Sequence, residues 1–157
     1  MPSIAFFDVD RTLMDGYSGY YTTLLLIKKR LMKKRRLVQA FFYKAMSHIA
    51  KVDLKKIYEI ACMDLAGMSL EDILKVGEES FLKDIKKRLY LEAIAKVQEH
   101  RKKGDYVYLV TSAPYMTIEH LSRFLQVDGH LVRVPLLTIK KSQRNFTARS
   151  EKPYLLS

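Results

Sequence analysis

The sequence predicts an α/β fold, a mostly parallel sheet with an inserted α-helical cap, and three observations predict it. Two short continuous apolar runs, residues 4–7 and 106–110, read as strands buried in a parallel sheet. Between them, residues 17–90 are helical in character, with long apolar-polar periodicity, no proline and few glycines. After the second run come a helix and a third strand, which completes the alternation typical of parallel sheets.

The elements follow in order. Ile4-Ala5-Phe6-Phe7 runs into Asp8, so the first strand has a polar C-terminal tip. Asp15-Gly16 is a turn signal. In the helical block Leu24, Ile27 and Leu31, then Val38, Phe41, Phe42 and Ala45, recur at helical spacing. Asp53 and Ser69 suit N-caps, and Ser69 with Asp72 resembles a capping box built with a shorter acid. The block holds three to four helices, too much for a simple crossover, and reads as an inserted subdomain. Residues 91–103 form an amphipathic helix; Lys102 and Lys103 oppose its negative end and Gly104 stops it. The second run ends at Thr111-Ser112-Ala113-Pro114, where Pro114 suits the first helical position of a helix over 115–125. Asp128-Gly129 turns into a strand over 130–134. Residues 136–139 and 145–148 pair as a hairpin around the polar loop 140–144. The expected division is a core of 1–16 and 91–157 with a cap of 17–90.

Composition narrows the class. The 157 residues are 48% hydrophobic and 29% charged, which suits one ordinary folded domain and excludes a disordered chain. A formal net charge of +11 points to anionic partners: phosphorylated small molecules, lipid headgroups or nucleic acid. No apolar run approaches the ~18 residues a membrane span needs. The N-terminus does not read as a signal peptide. The single cysteine, Cys62, allows no intrachain disulfide, and a cytoplasmic setting is expected.

The chemistry sits at the strand tips, where open α/β sheets bind ligands. The first tip reads Asp8-Val9-Asp10-Arg11-Thr12. Two carboxylates two residues apart start on the same side of an extended chain. Such a pair is costly unless a cation compensates it or one member is protonated. Two readings are open: the carboxylates cap loop backbone, or one attacks phosphorus while the other shuttles a proton. At the second tip, Thr111 and Ser112 precede a helix N-terminus, a ready anion site, although Ser112 also suits a plain N-cap.

Together the tips resemble a known family. Ala5-Phe6-Phe7-Asp8-Val9-Asp10-x-Thr12-Leu13 is similar to the first signature of the haloacid dehalogenase superfamily, and Leu109-Val110-Thr111-Ser112-Ala113-Pro114 to its second. The helix-filled interval between them resembles the phosphoserine-phosphatase-like branch, which carries a helical cap on a Rossmann-like core. The resemblance implies a phosphatase hydrolysing a small phosphomonoester through an aspartyl-phosphate. Asp8 would be the nucleophile, Asp10 the proton donor and then acceptor, Thr12 an orienting residue, and Thr111 the hydroxyl on the transferring group. Ser112 and Arg11 would add phosphate contacts. Magnesium, the implied cofactor, would bind a carboxylate oxygen of Asp8 and the backbone carbonyl of Asp10. Arg11 stands where the family usually has glycine. The family also has a downstream lysine and an acidic loop, whereas after Thr147 this sequence offers Lys152 and no acidic loop. It therefore reads as truncated relative to that family. The alternative is a catalytically impaired homologue that binds a phosphorylated ligand or a partner.

Other features carry less. The cations Lys28, Lys29, Arg30, Lys33, Lys34, Arg35 and Arg36 read as the outer face of a cap helix; they also allow contact with an anionic lipid surface, and no specific nucleic-acid partner is expected. Tyr17, Tyr20, Tyr21, Phe41, Phe42 and Tyr43 read as cap interior, with Tyr17 and Tyr20 the candidates for substrate selection. Met46, Met63 and Met68 read as core fillers. His48, His100, His120 and His130 lack metal-ligand spacing. Association into an oligomer is open.

Overall fold

The structure, a computed structural model, describes residues 1–35, 38–39, 63–65 and 68–132. The expectations placed on Phe41, Phe42, Tyr43, Ala45, Met46, His48, Asp53, Cys62, the hairpin at 136–139 and 145–148, and Lys152 lie outside these residues.

Three parallel strands stand in the order β1-β2-β3. They are β1 (Ile4–Asp8), β2 (Tyr106–Thr111) and β3 (Gly129–Val132). The four helices used below are α1 (Ser18–Lys28), α2 (Leu70–Ser80), α3 (Leu91–Lys102) and α4 (Tyr115–Leu125). A π-helical turn (Phe81–Ile85) and a 3-10 turn (Lys86–Arg88) prolong α2. This is the α/β architecture the sequence predicts.

Capping explains several boundaries. Ser69 accepts the Asp72 N–H at 3.1 Å and its hydroxyl donates to the Asp72 carboxylate at 2.7 Å, so the expected cap of α2 is present. Gly104, at φ 79, follows α3 as its stop. Pro114 is the N-cap of α4, one position before the one expected, because its ψ of 142 is extended.

One face of the sheet is packed. Val107 and Leu109 are fully buried with Val97 of α3 and Ile118, Leu121 and Leu125 of α4, and Ala5, Phe7 and Val132 pack against them. The opposite face corrects the expectation of strands buried on both sides: Ile4 is 57% and Phe6 61% exposed, with Tyr106, Val110 and Leu131 also exposed. The reason is topological. A sheet that grows in one direction through right-handed crossovers puts successive crossover helices on the same side, and α3 and α4 share that side.

The helices α1 and α2 bury a second cluster, Leu25, Leu26, Met32, Leu65, Ile73, Val76 and Met116, against which Met68 packs. Of the expected α1 stripe, Ile27 and Leu31 pack at its margin but Leu24 is 40% exposed. The buried residues of the helix are Ser18, Thr22, Leu25 and Leu26. No described helix is long and apolar enough to cross a membrane.

Candidate active site

The register of β1 and β2 builds the site. Asp8 lies opposite Val110, so the loop after Asp8 and the Thr111–Pro114 turn leave adjacent strands at the same sheet edge. Val9, with no exposed surface, anchors the first loop from below. Its carbonyl accepts the N–H groups of Thr12, Leu13 and Met14, at 3.3, 2.9 and 3.3 Å. Leu13 and Met14 are also fully buried, which pins the loop on its apolar side while its polar side chains stay outside.

Each carboxylate has one oxygen engaged. Asp8 Oδ2 accepts the Thr12 hydroxyl at 2.9 Å. Asp10 Oδ1 accepts both the Ser18 hydroxyl at 2.6 Å and the Ser18 N–H at 2.8 Å. Asp8 Oδ1 and Asp10 Oδ2 have no hydrogen-bond partner among the described residues. Neither carboxylate makes a salt bridge there. Thr12 thus touches the carboxylate itself.

Arg11 adopts a left-handed conformation, φ 64, consistent with the turn that glycine more often makes. Its exposed guanidinium donates a hydrogen bond to Tyr17, which raises its pKa above the ordinary value. Tyr17 and Tyr20 are 47% and 51% exposed, which corrects their assignment to the cap interior. Gly16, at φ 91, closes the loop: a Cβ there would stand 2.7 Å from the Tyr21 hydroxyl. Across that ring lies Arg88, its guanidinium carbon 4.4 Å from the centroid.

At the second tip the Thr111 hydroxyl oxygen accepts the Ala113 N–H at 3.0 Å, and Thr111 is only 5% exposed. That bond uses a lone pair and leaves the hydroxyl hydrogen to donate. Ser112 is exposed on the same turn, ahead of the α4 N-terminus.

The histidines serve elsewhere. His100 pairs with Asp105 at 2.8 Å, His120 with the Leu74 carbonyl at 3.0 Å, and His130 with Ser122 at 2.9 Å. Burial lowers the pKa of His130. Sequence reasoning missed Ser18. A serine at the head of a periodic stretch signals a local cap, but its partner lies eight residues upstream.

The family profile of haloacid dehalogenase-like hydrolases matches residues 5–153. The chain belongs to this family. Both strand tips described above fall inside the matched haloacid dehalogenase-like region. Among solved structures, the chain is similar to a protein of unknown function from Bordetella pertussis Tohama I, with a TM-score of 0.72 and 20% identity over 84% of this chain and 60% of that one. It is similar to a phosphoserine phosphohydrolase-like protein from Francisella tularensis subsp. tularensis SCHU S4, with a TM-score of 0.55 and 15% identity over 81% of this chain and 55% of that one. A phospho-aspartyl intermediate analogue of phosphoserine phosphatase matches at a TM-score of 0.54 and 13% identity, over 83% and 56%. At these identities the likeness is one of fold. The chain spans 55% to 60% of the length of these three structures. No curated protein matches it.

Proposed function

We propose that this haloacid dehalogenase-like chain is a phosphatase of small phosphomonoesters that works through an aspartyl-phosphate. The observation that carries the reading is the half-engaged state of both carboxylates: Asp8 keeps Oδ1, and Asp10 keeps Oδ2, outside any described protein hydrogen bond. Asp8 Oδ1 attacks phosphorus as the ester P–O bond breaks, and the leaving oxygen takes its proton from Asp10 Oδ2. Water then attacks the same phosphorus, Asp10 Oδ2 takes a water proton, and the bond from phosphorus to Asp8 breaks to release phosphate. Thr12 holds the attacking carboxylate through its other oxygen. The Thr111 hydroxyl donates to a phosphoryl oxygen, Ser112 and the α4 N-terminus add donors, and the exposed Arg11 reaches the substrate's anionic end.

Two adjacent carboxylates without a salt-bridge partner among the described residues fit a bound divalent cation. A carboxylate of Asp8 and the backbone carbonyl of Asp10 are hard oxygen donors of the kind magnesium takes, its other positions going to water and phosphate. Bound there, it would neutralise phosphoryl oxygens. Among the described residues, no group of three or more His, Cys, Asp or Glu side chains is placed to hold a metal. The same salt-bridge observation favours a second reading, a homologue that binds a phosphorylated ligand and turns it over poorly, since no described lysine reaches Asp8. The exposed cations around Lys28, Arg30, Lys33 and Lys34 would draw anionic substrates, lipid phosphates included.

The test is hydrolysis of an aryl phosphate by the 157-residue chain, with magnesium and with EDTA. Magnesium-dependent turnover that disappears in Asp8→Asn is the expected result. An Asp8→Asn variant as active as its parent sinks the phosphatase reading. A folded parent that binds phosphate without turnover leaves the second one.

A further inference from the structure

Four hydroxyl side chains from three helices are buried together next to Asp10. Ser18 and Ser80 have no exposed surface, nor does Thr117, and Thr22 has 1%. Buried polar groups persist only when their hydrogen bonds are made. The Thr22 hydroxyl reaches the Ser18 carbonyl as a donor at 3.2 Å. The same oxygen lies 3.0 Å from the Ser80 hydroxyl and 2.8 Å from the Thr117 hydroxyl, and in each of these pairs either side can donate. The Ser18 hydroxyl is left with one acceptor, Asp10 Oδ1 at 2.6 Å, which it shares with its own backbone N–H at 2.8 Å.

The arrangement joins pieces that are far apart in the chain. Asp10 belongs to the loop after β1, Ser18 and Thr22 to α1, Ser80 to the end of α2, and Thr117 to α4, the helix that begins after Thr111-Ser112. The N-cap residue Tyr17 makes no side-chain cap bond, so the first N–H of α1 is satisfied by Asp10 instead. The carboxylate gains two donors converging on one oxygen, mounted on a buried frame.

We infer that Ser18 is a positioning residue for Asp10, an inference that rests on the phosphatase reading above. A half-exposed aspartate free to turn changes rotamer in picoseconds to nanoseconds. Two donors on Oδ1 hold it in one rotamer, and Oδ2 is left as the oxygen that exchanges a proton with the leaving group and then with water. Misplacing a reacting group by about 1 Å costs on the order of 10²-fold in rate. Loss of the Ser18 hydroxyl therefore acts on the chemical steps and leaves phosphate binding at Thr111 and the α4 N-terminus as it was.

The experiment compares aryl phosphate hydrolysis by the full chain with magnesium in the parent, Ser18→Ala, Ser18→Thr, Thr22→Val and Asp8→Asn. Ser18→Ala is expected to lower kcat by roughly 10- to 100-fold with KM within about twofold. Ser18→Thr, which keeps the hydroxyl, recovers most of that kcat. Thr22→Val breaks the same buried network without touching Asp10; it lowers the melting temperature and keeps the parental kcat. Should Ser18→Ala not fold, Ser18→Cys fills the same space with a weaker donor and shows the same fall in kcat. A folded Ser18→Ala or Ser18→Cys with parental kcat overturns the inference. So do equal losses in Ser18→Ala and Thr22→Val, which make the network structural only. An inactive parent, or an active Asp8→Asn, overturns the phosphatase reading itself and the inference with it.

Discussion

Gly77 of α2 packs directly on the backbone of α4: a Cβ added to it would run into the carbonyl group of Met116. Two helices approach this closely only where one of them lacks a side chain. The contact sets how α2, and through Ser80 the buried hydroxyls, lie against the helix that follows Thr111. Gly77→Ala must push its new methyl group against the Met116 backbone, with no flexible side chain end to yield. Its cost is expected to reach about 3 kcal/mol, beyond the helix propensity that alanine gains. At this chain length that is a fall of roughly 6–12 °C in melting temperature, read by circular dichroism. A variant as stable as the parent would show that α2 and α4 slide apart freely.

Thr111 tests the second strand tip. Thr111→Val keeps the shape but loses the acceptor of the Ala113 N–H and the hydroxyl hydrogen that this bond leaves over. The orphaned N–H destabilises by about 1–3 kcal/mol. The lost donor lowers kcat/KM by roughly 100-fold if it meets the transferring phosphoryl group. Thr111→Ser keeps both functions and is expected within about fivefold of the parent. Steady-state kinetics on the three proteins separates a structural hydroxyl from a substrate contact, since only the latter makes valine far worse than its stability loss.

Asp105 carries a pH dependence remote from the site. Its Oδ1 accepts the Ser3 N–H at 2.9 Å and its Oδ2 pairs with His100 at 2.8 Å. The Ser3 backbone bond and then His100 lower its carboxyl pKa from 3.8 to about 2. A carboxyl group depressed in the folded state stabilises it fully above the unfolded value, and the effect fades as pH falls toward the folded one. Parent and Asp105→Asn should therefore differ in melting temperature at pH 6, and the gap should close between pH values of roughly 4 and 2. A gap that stays constant across that range would remove the carboxylate from the account.

The parallel sheet and its crossovers were legible because apolar runs, Gly104 and the Ser69-Asp72 pair are local signals read one segment at a time. The tips carrying Asp8 and Thr111 were legible for the same reason, each closing a run such as Ile4-Ala5-Phe6-Phe7. What escaped was decided between segments. Periodicity placed Leu24 in the buried stripe of α1, yet that helix begins its buried face with Ser18 and Thr22, polar residues whose partners come from the β1 loop, α2 and α4. A hydrophobicity pattern is blind to a buried face made of hydroxyls. The exposure of Phe6 escaped too, because a single strand does not record which side its crossovers will take.

The pairing of Ile4 with Tyr106 has a temporal side. On a ribosome adding about 5–20 residues per second, β1 waits roughly 5–20 s for the strand it pairs with. Throughout that interval the apolar segment ahead of Asp8 has no β2 to hold it. The strand that ends in Asp8 is thus made well before the strand that holds it in the sheet.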